Sequence, residues 1–105
     1  VIVHHVASAA DWQAAVATGS YGTSTRGSSV VETGFVHAAH PHQVAGVLER
    51  YYADAREPLV LLVIDTGLLD CPVREEAATS GGERFPHLYG TVPVGAVLEV
   101  RPLPR

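Results

Sequence analysis

The stretch LVLLVI at residues 59–64 decides the fold class. Six consecutive apolar side chains, half of them β-branched and none alternating with polar neighbours, predict a central strand covered on both faces. Glu57-Pro58 just ahead of it ends the preceding helix, because the residue before a proline is driven out of the helical region.

Upstream of that strand, Pro41 suits the first position of a helix, where its missing N–H needs no intrahelical partner. Val44, Val47, Leu48 and Tyr51 follow at i, i+3, i+4 and i+7 and give this helix an apolar stripe. GFVHA at residues 34–38 reads as a short strand leading into it. Residues 19–27 are dominated by Gly, Ser and Thr, with Tyr21 and Arg26 embedded, and read as a loop. An earlier helix begins after Ser8, an N-cap residue with Asp11 in the first turn. It carries Trp12, Ala15 and Val16 on one face and stops at Gly19, which suits the left-handed position beyond a helix end.

Residues 1–6 are β-branched and apolar apart from His4 and His5, so the opening VIVHHVASAADW reads as a strand and not as a signal peptide. Downstream of the central strand, residues 71–75 form an edge strand and residues 79–83 a glycine-rich loop. AVLEVR at residues 96–101 is a final alternating strand closed by Pro102 and Pro104. Two early helices followed by a run of strands predict an α+β fold rather than a doubly wound sheet. At 105 residues the chain is one domain, residues 1–105, without internal repeat or linker.

Composition narrows the function classes. With 47% hydrophobic and 17% charged residues the chain is globular rather than disordered. The single Cys71 forms no internal disulfide and points to a reducing compartment, the cytoplasm. No run reaches the ~20 apolar residues of a membrane helix. All seven basic residues are scattered arginines and the net charge is −4, so bulk nucleic acid is disfavoured as a partner. One or two arginines converging on a small phosphate-bearing ligand fit that balance. Nothing in the sequence fixes the oligomeric state.

Six histidines are many for this length. His5, His37 and His87 lie in the apolar contexts VHHVA, GFVHAA and FPHLYG, where an imidazole without partners costs ~1–3 kcal/mol. Their recurrence in three separated segments points to a shared pocket. His4 should face away from His5 across the strand, and His40 and His42 flank Pro41 at a helix start, where surface hydrogen bonding is the ordinary role. Neither HExxH nor paired cysteines are present, so no metal is expected. Cys71 has no cationic neighbour closer than Arg74 to lower its pKa and reads as structural. Phosphate-loop and GxSxG signatures are absent. Glu75 and Glu76 point to opposite faces of a strand, so at most one reaches a given pocket and can orient a histidine.

Taken together, His5-Val6-Ala7 with Trp12, Gly34-Phe35-Val36-His37 and Phe85-Pro86-His87-Leu88-Tyr89-Gly90 resemble domain-of-unknown-function family 952 of bacteria and plants over nearly the whole chain. That family is similar to the ADP-ribosyltransferase and RNA 2′-phosphotransferase-like fold, in which a split sheet grips NAD with one motif residue from each of three segments. The resemblance implies a small split-sheet domain, NAD as a substrate, and His5, His37 and His87 as the catalytic positions. His87 stands where that fold often has Glu, and Glu76 is the candidate for the missing acid. Phe35 and Tyr89 within the motifs, Ser29 ahead of the second motif and Arg26 on the preceding loop are the further ligand-contacting candidates.

Three readings follow: a transferase-like enzyme acting on NAD or another nucleotide, a small-ligand-binding module of the same fold without turnover, and a structural or interaction domain whose histidines hold the sheet.

Overall fold

A computed structural model describes every residue except Arg26, Ala78, Thr79, Pro104 and Arg105, together with all their side chains but that of Thr25. In chain order the elements are β1 (Ile2–Ser8), α1 (Ala9–Thr18), β2 (Ser20–Tyr21), β3 (Thr23–Thr25), β4 (Ser28–Ser29), α2 (Val30–Thr33), β5 (Val36–His37), α3 (Val44–Tyr51), β6 (Leu59–Asp65), β7 (Val73–Ala77), β8 (Arg84–Leu88), β9 (Val92–Pro93) and β10 (Val97–Leu103). The mixed α+β class is as the sequence predicts.

The apolar run is the middle strand of an antiparallel sheet ordered β1-β6-β10. Its two faces feed two cores. Leu62 and Ile64 join Val3 and Ala7 of β1, Trp12 and Ala15 of α1, and Val36 and Leu88 from a second sheet. Leu59 and Leu61 join Val6 on the opposite face, where α3 lays down Val44, Val47 and Leu48. Side chains alternate across a strand, so continuous burial requires a cover on each side, and both covers are present.

The second sheet is antiparallel with order β5-β8-β7. It meets the first along β1. His4 N donates to Ala39 O and Ala39 N donates to His4 O, both at 2.7 Å, so the segment just past β5 runs antiparallel to the edge of β1. The His4–Ala39 bridge thus joins the edges of two separate sheets, with a seam between β1 and β5.

Helix ends obey local chemistry. The Ser8 hydroxyl accepts the Asp11 amide at 3.1 Å, and Gly19 closes α1 in the left-handed region. Gly90 has a different reason to be glycine: a Cβ there would lie 2.7 Å from the Cβ of Cys71, so the FPHLYG turn can approach the start of β7 only without a side chain.

Several expectations are corrected. Residues 19–27 contain paired strands rather than only a loop: β2 pairs with β9, and β3 with β4. The short helix α2 and the strands β8 and β9 are elements that the sequence pattern does not separate. Val16 is exposed because only the line Trp12–Ala15 of α1 reaches the core. Tyr51 is exposed as well, and Tyr52 packs on the second core in its place, since the helix ends at Tyr51 and the backbone turns the next side chain inward. The edge strand starts at Val73 and the last strand runs to Leu103. No helix among the described residues is long and apolar enough to cross a membrane.

Leu62→Ala, at 0% exposure in the first core, should cost about 2–5 kcal/mol in urea unfolding. Leu98→Ala, at 57% exposure, should stay within about 0.5 kcal/mol.

Candidate functional site

The second sheet carries one row of chemistry across its three strands. His37 on β5 stands opposite His87 on β8, which stands opposite Arg74 on β7. Strand alternation puts Phe35, Tyr89 and Glu76, each two residues from a member of this row, on the same face. The other face carries Val36 and Leu88 into the core, and Glu75 points that way too, with its carboxylate 2.8 Å from His40 Nε2. The two adjacent glutamates therefore serve opposite faces, as expected.

His87 is the centre of the cluster. Its Nδ1 lies 2.9 Å from Glu76 Oε1. A carboxylate facing this nitrogen makes Nδ1 the protonated one, so in the neutral ring Nε2 holds the lone pair. Phe35 stacks on the imidazole at a centroid distance of 4.0 Å and 18°. His37 meets His87 edge-on at 5.3 Å and 79°. Tyr89 donates its hydroxyl to the same Glu76 oxygen, and the Arg74 guanidinium lies 5.4 Å from the Tyr89 ring centre. The Tyr89 and His87 hydrogen bonds hold the Glu76 carboxyl below its ordinary pKa, and the bond to Glu76 raises that of Tyr89. Glu76 also borders a broad open concavity with Arg84 and residues 80–82.

His5 has a different environment. It is 3% exposed, and both ring nitrogens are engaged within the protein: Nδ1 with the His37 carbonyl at 2.5 Å, Nε2 with the Tyr21 hydroxyl at 2.9 Å. A carbonyl can only accept, so Nδ1 donates, Nε2 accepts, and Tyr21 donates to it. Burial pushes the His5 pKa down to about 4 and the Tyr21 pKa up. His5 thus fills the seam between the sheets, satisfying a carbonyl that a continuous ladder would have bonded to backbone.

The three sequence-predicted histidines are therefore brought together, but in graded roles. His5 is buried behind His37, His87 is nearly covered by Phe35, and His37 is exposed with its pKa lowered by partial burial and then by the His87 charge. Phe35, Tyr89 and Glu76 join them. Ser29 does not belong to this group among the described contacts. It caps α2, its hydroxyl accepting the Glu32 amide at 3.3 Å while the Glu32 carboxylate accepts the Ser29 amide at 3.0 Å, and it lines a separate groove with Asp11 and Thr23. Arg26 lies outside the described residues. His4 faces away from His5, and its Nδ1 is buried without a partner among the described residues. Arg74, Tyr21 and Ser24, which donates to the Phe35 carbonyl, belong to the arrangement without having been candidates. Among the described residues no cluster of His, Cys, Asp or Glu is arranged to hold a metal ion.

The sequence matches the family described as Protein of unknown function (DUF952) over residues 6–100, a span that holds the His37 and His87 segments and begins one residue after His5. The chain belongs to this family. Its fold is similar to that of protein CC0527 from Caulobacter crescentus: the crystal structure is 29% identical with a TM-score of 0.82, covering 99% of this chain and 87% of that one. The crystal structure of a double mutant of CC0527 gives 28% and 0.82 over the same shares. The solution structure of CC0527 gives 30% identity and 0.76 over 97% and 84%. No functionally curated protein matches the chain.

The buried imidazole has a consequence for stability. His5 stays neutral in the folded domain down to about pH 4, whereas the unfolded chain takes up a proton near its ordinary value of 6.5. The unfolded state binds more protons inside that window, so stability is full above pH 6.5 and falls as the pH drops toward 4, by about 3 kcal/mol in all. Urea unfolding at a series of pH values should show this slope, and His5→Gln should flatten it. Part of the slope will survive in the variant, because His4 and His37 are shifted in the same direction.

Proposed function

We propose that this DUF952 domain binds a nucleotide-type ligand on the open face of the β5-β8-β7 sheet and acts on it as a transferase-like enzyme, with NAD as substrate, in a split-sheet scaffold of ADP-ribosyltransferase type. The observation that carries the reading is the 2.9 Å contact between His87 Nδ1 and Glu76 Oε1. It pairs a base with the carboxylate that a glycosyl-transfer site needs and that the third motif, with His87 in the usual place of Glu, otherwise lacks.

The chemistry divides between the two groups. As the nicotinamide–ribose bond breaks, its electron pair leaves with the nicotinamide nitrogen, and positive charge develops on the sugar. The ionised Glu76 stabilises that charge. His87 Nε2 takes the proton of the acceptor hydroxyl as its oxygen bonds to the anomeric carbon. Phe35 fixes the plane of His87, and exposed His37 offers a hydrogen bond to ribose or phosphate. Arg74 is the cation of the row and suits a phosphate oxygen. His5 acts by positioning: it fixes the His37 backbone and touches no ligand. Cytoplasmic location accords with the lone cysteine.

A second reading, a binding module without turnover, is favoured by one observation. Tyr89 and His87 both bond the same oxygen of Glu76, which draws negative charge away from an approaching sugar.

Calorimetry with NAD and with ADP-ribose should give saturable heat. His37→Ala, at an exposed position, should weaken binding about tenfold with an unchanged melting temperature. Mass spectrometry should detect nicotinamide released from NAD, at least about 100-fold slower with Glu76→Gln. Binding without released nicotinamide leaves the module reading, and no heat from either ligand overturns both.

A further inference from the structure

The first sheet ends in β10, which pairs with β6 on one edge and with no strand on the other among the described residues. Leu98, Glu99, Arg101 and Pro102 of this strand are exposed. The direction of its free backbone groups follows from the seam. His4 N and O both bond Ala39, away from β6, so His4 and Val63 are an antiparallel pair that exchanges no hydrogen bonds. Val63 therefore turns its amide and carbonyl toward β10, where Glu99 stands opposite. Backbone groups alternate along a strand, so Glu99 and Arg101 bond β6 while Val100 and Pro102 turn theirs outward. Pro102 fits this direction, since a proline within a sheet lies where its missing N–H would have faced solvent. We infer that the β10 edge pairs antiparallel with β10 of a second copy of this chain, about a two-fold axis at Val100.

Charge along the strand selects both the occupant and the register. In a two-fold antiparallel pair one residue faces its own copy at the centre, and like charges directly opposite are destabilising. A centre at Glu99 sets glutamate against glutamate, and a centre at Arg101 sets arginine against arginine. A centre at Leu98 or Pro102 shortens the ladder. Centred on Val100, the pair sets Glu99 opposite Arg101 of the second copy, twice, at positions without mutual hydrogen bonds, where side chains approach most closely. Val100 then meets its own copy with amide and carbonyl both free, which gives two reciprocal backbone hydrogen bonds. Leu98, 57% exposed, comes opposite Pro102. In the single chain the Arg101 guanidinium turns back on Glu99 at 2.8 and 3.1 Å, and both side chains are about half exposed. Each chain thus exchanges an ion pair along its own strand for one across the axis. The outer strand of the second sheet, β7, lacks this self-complementarity: its interior residues Arg74, Glu75 and Glu76 are all charged, and any of them at the centre faces its own charge.

The ends of the ladder keep the assembly closed. Proline and bulges blunt an edge, and here Pro102 lies on one side of the centre and the register shift between Val97 and Glu99 on the other, leaving Val100 open between them. The axis uses each free edge once, so the product is a dimer and not a fibre. So short a contact predicts weak association. The pairing edge belongs to the first sheet and the histidine row to the second, so the inference does not rest on the nucleotide reading.

The test is sedimentation equilibrium at low salt, from about 10 µM to about 1 mM protein. The wild-type mass should climb from the single-chain 11.1 kDa toward twice that value. Glu99→Arg and Arg101→Glu should each weaken association at least about tenfold, with melting temperatures near that of the wild type because the pair is exposed. An equimolar mixture of the two variants should associate again, since every pair across the axis then joins opposite charges. That recovery reads contact between chains and not an effect within one. In the wild type, hydrogen exchange at the Val100 amide should slow as concentration rises. A mass that stays at 11.1 kDa up to about 1 mM overturns the proposal. So does a dimer that forms equally well in both single variants, or one that leaves the Val100 amide unprotected.

Discussion

One buried imidazole, beside the shared core and the His4–Ala39 bridge, ties the edges of the two sheets of this fold. At the seam between β1 and β5 the ladder runs out, and the His37 carbonyl faces a side chain in place of a strand. His5 closes the gap with Nδ1–H, and the Tyr21 hydroxyl completes the other nitrogen. An unpaired carbonyl or an unpaired ring nitrogen at this depth would cost about 1–3 kcal/mol each, so the arrangement is stable only while the ring is neutral and both partners are present. The same ring ties the His37 carbonyl of β5 and the Tyr21 hydroxyl of β2 to one reference point on β1.

That fixed point explains the geometry of the histidine row. β5 is only two residues long and has little ladder of its own, yet it presents His37 in register with His87. Its position is set from behind by His5 and Ser24, which bind the carbonyls of His37 and Phe35. The face in front is then free to carry groups suited to chemistry: a glutamate that selects the tautomer of His87, an aromatic ring that fixes its plane, and an exposed second imidazole. Burial decreases outward from His5 through His87 to His37, which separates the positioning group from the groups that face solvent.

Much of this could be read from the sequence, for physical reasons. LVLLVI is legible as a two-sided strand because continuous apolarity has few other solutions in so short a run. Ser8 and Gly19 bracket α1 because capping is local chemistry. The grouping of His5, His37 and His87, and the opposite facing of Glu75 and Glu76, follow from motif context and strand alternation. The segment from Ser20 to Ser29 is illegible as strands because pairs of two or three residues show no periodicity. Their partners, such as Val92 and Pro93 for β2, are distant in the chain. For the same reason Tyr21 reads as a loop residue and not as the hydroxyl that completes His5. Ser29 resembles a ligand contact because it stands ahead of the second motif, whereas its hydroxyl caps α2 in a reciprocal pair with Glu32 three residues on. Tyr51 and Tyr52 exchange places because a helix end decides which of two adjacent tyrosines turns inward.

The account stands on the state of the His5 ring, and imidazole 15N NMR across a pH series reads it directly. It predicts a neutral ring protonated on Nδ1 and bare on Nε2, unchanged from pH 7 to near pH 5. A ring that titrates near 6.5, or one that carries its proton on Nε2, would contradict the seam and everything built upon it.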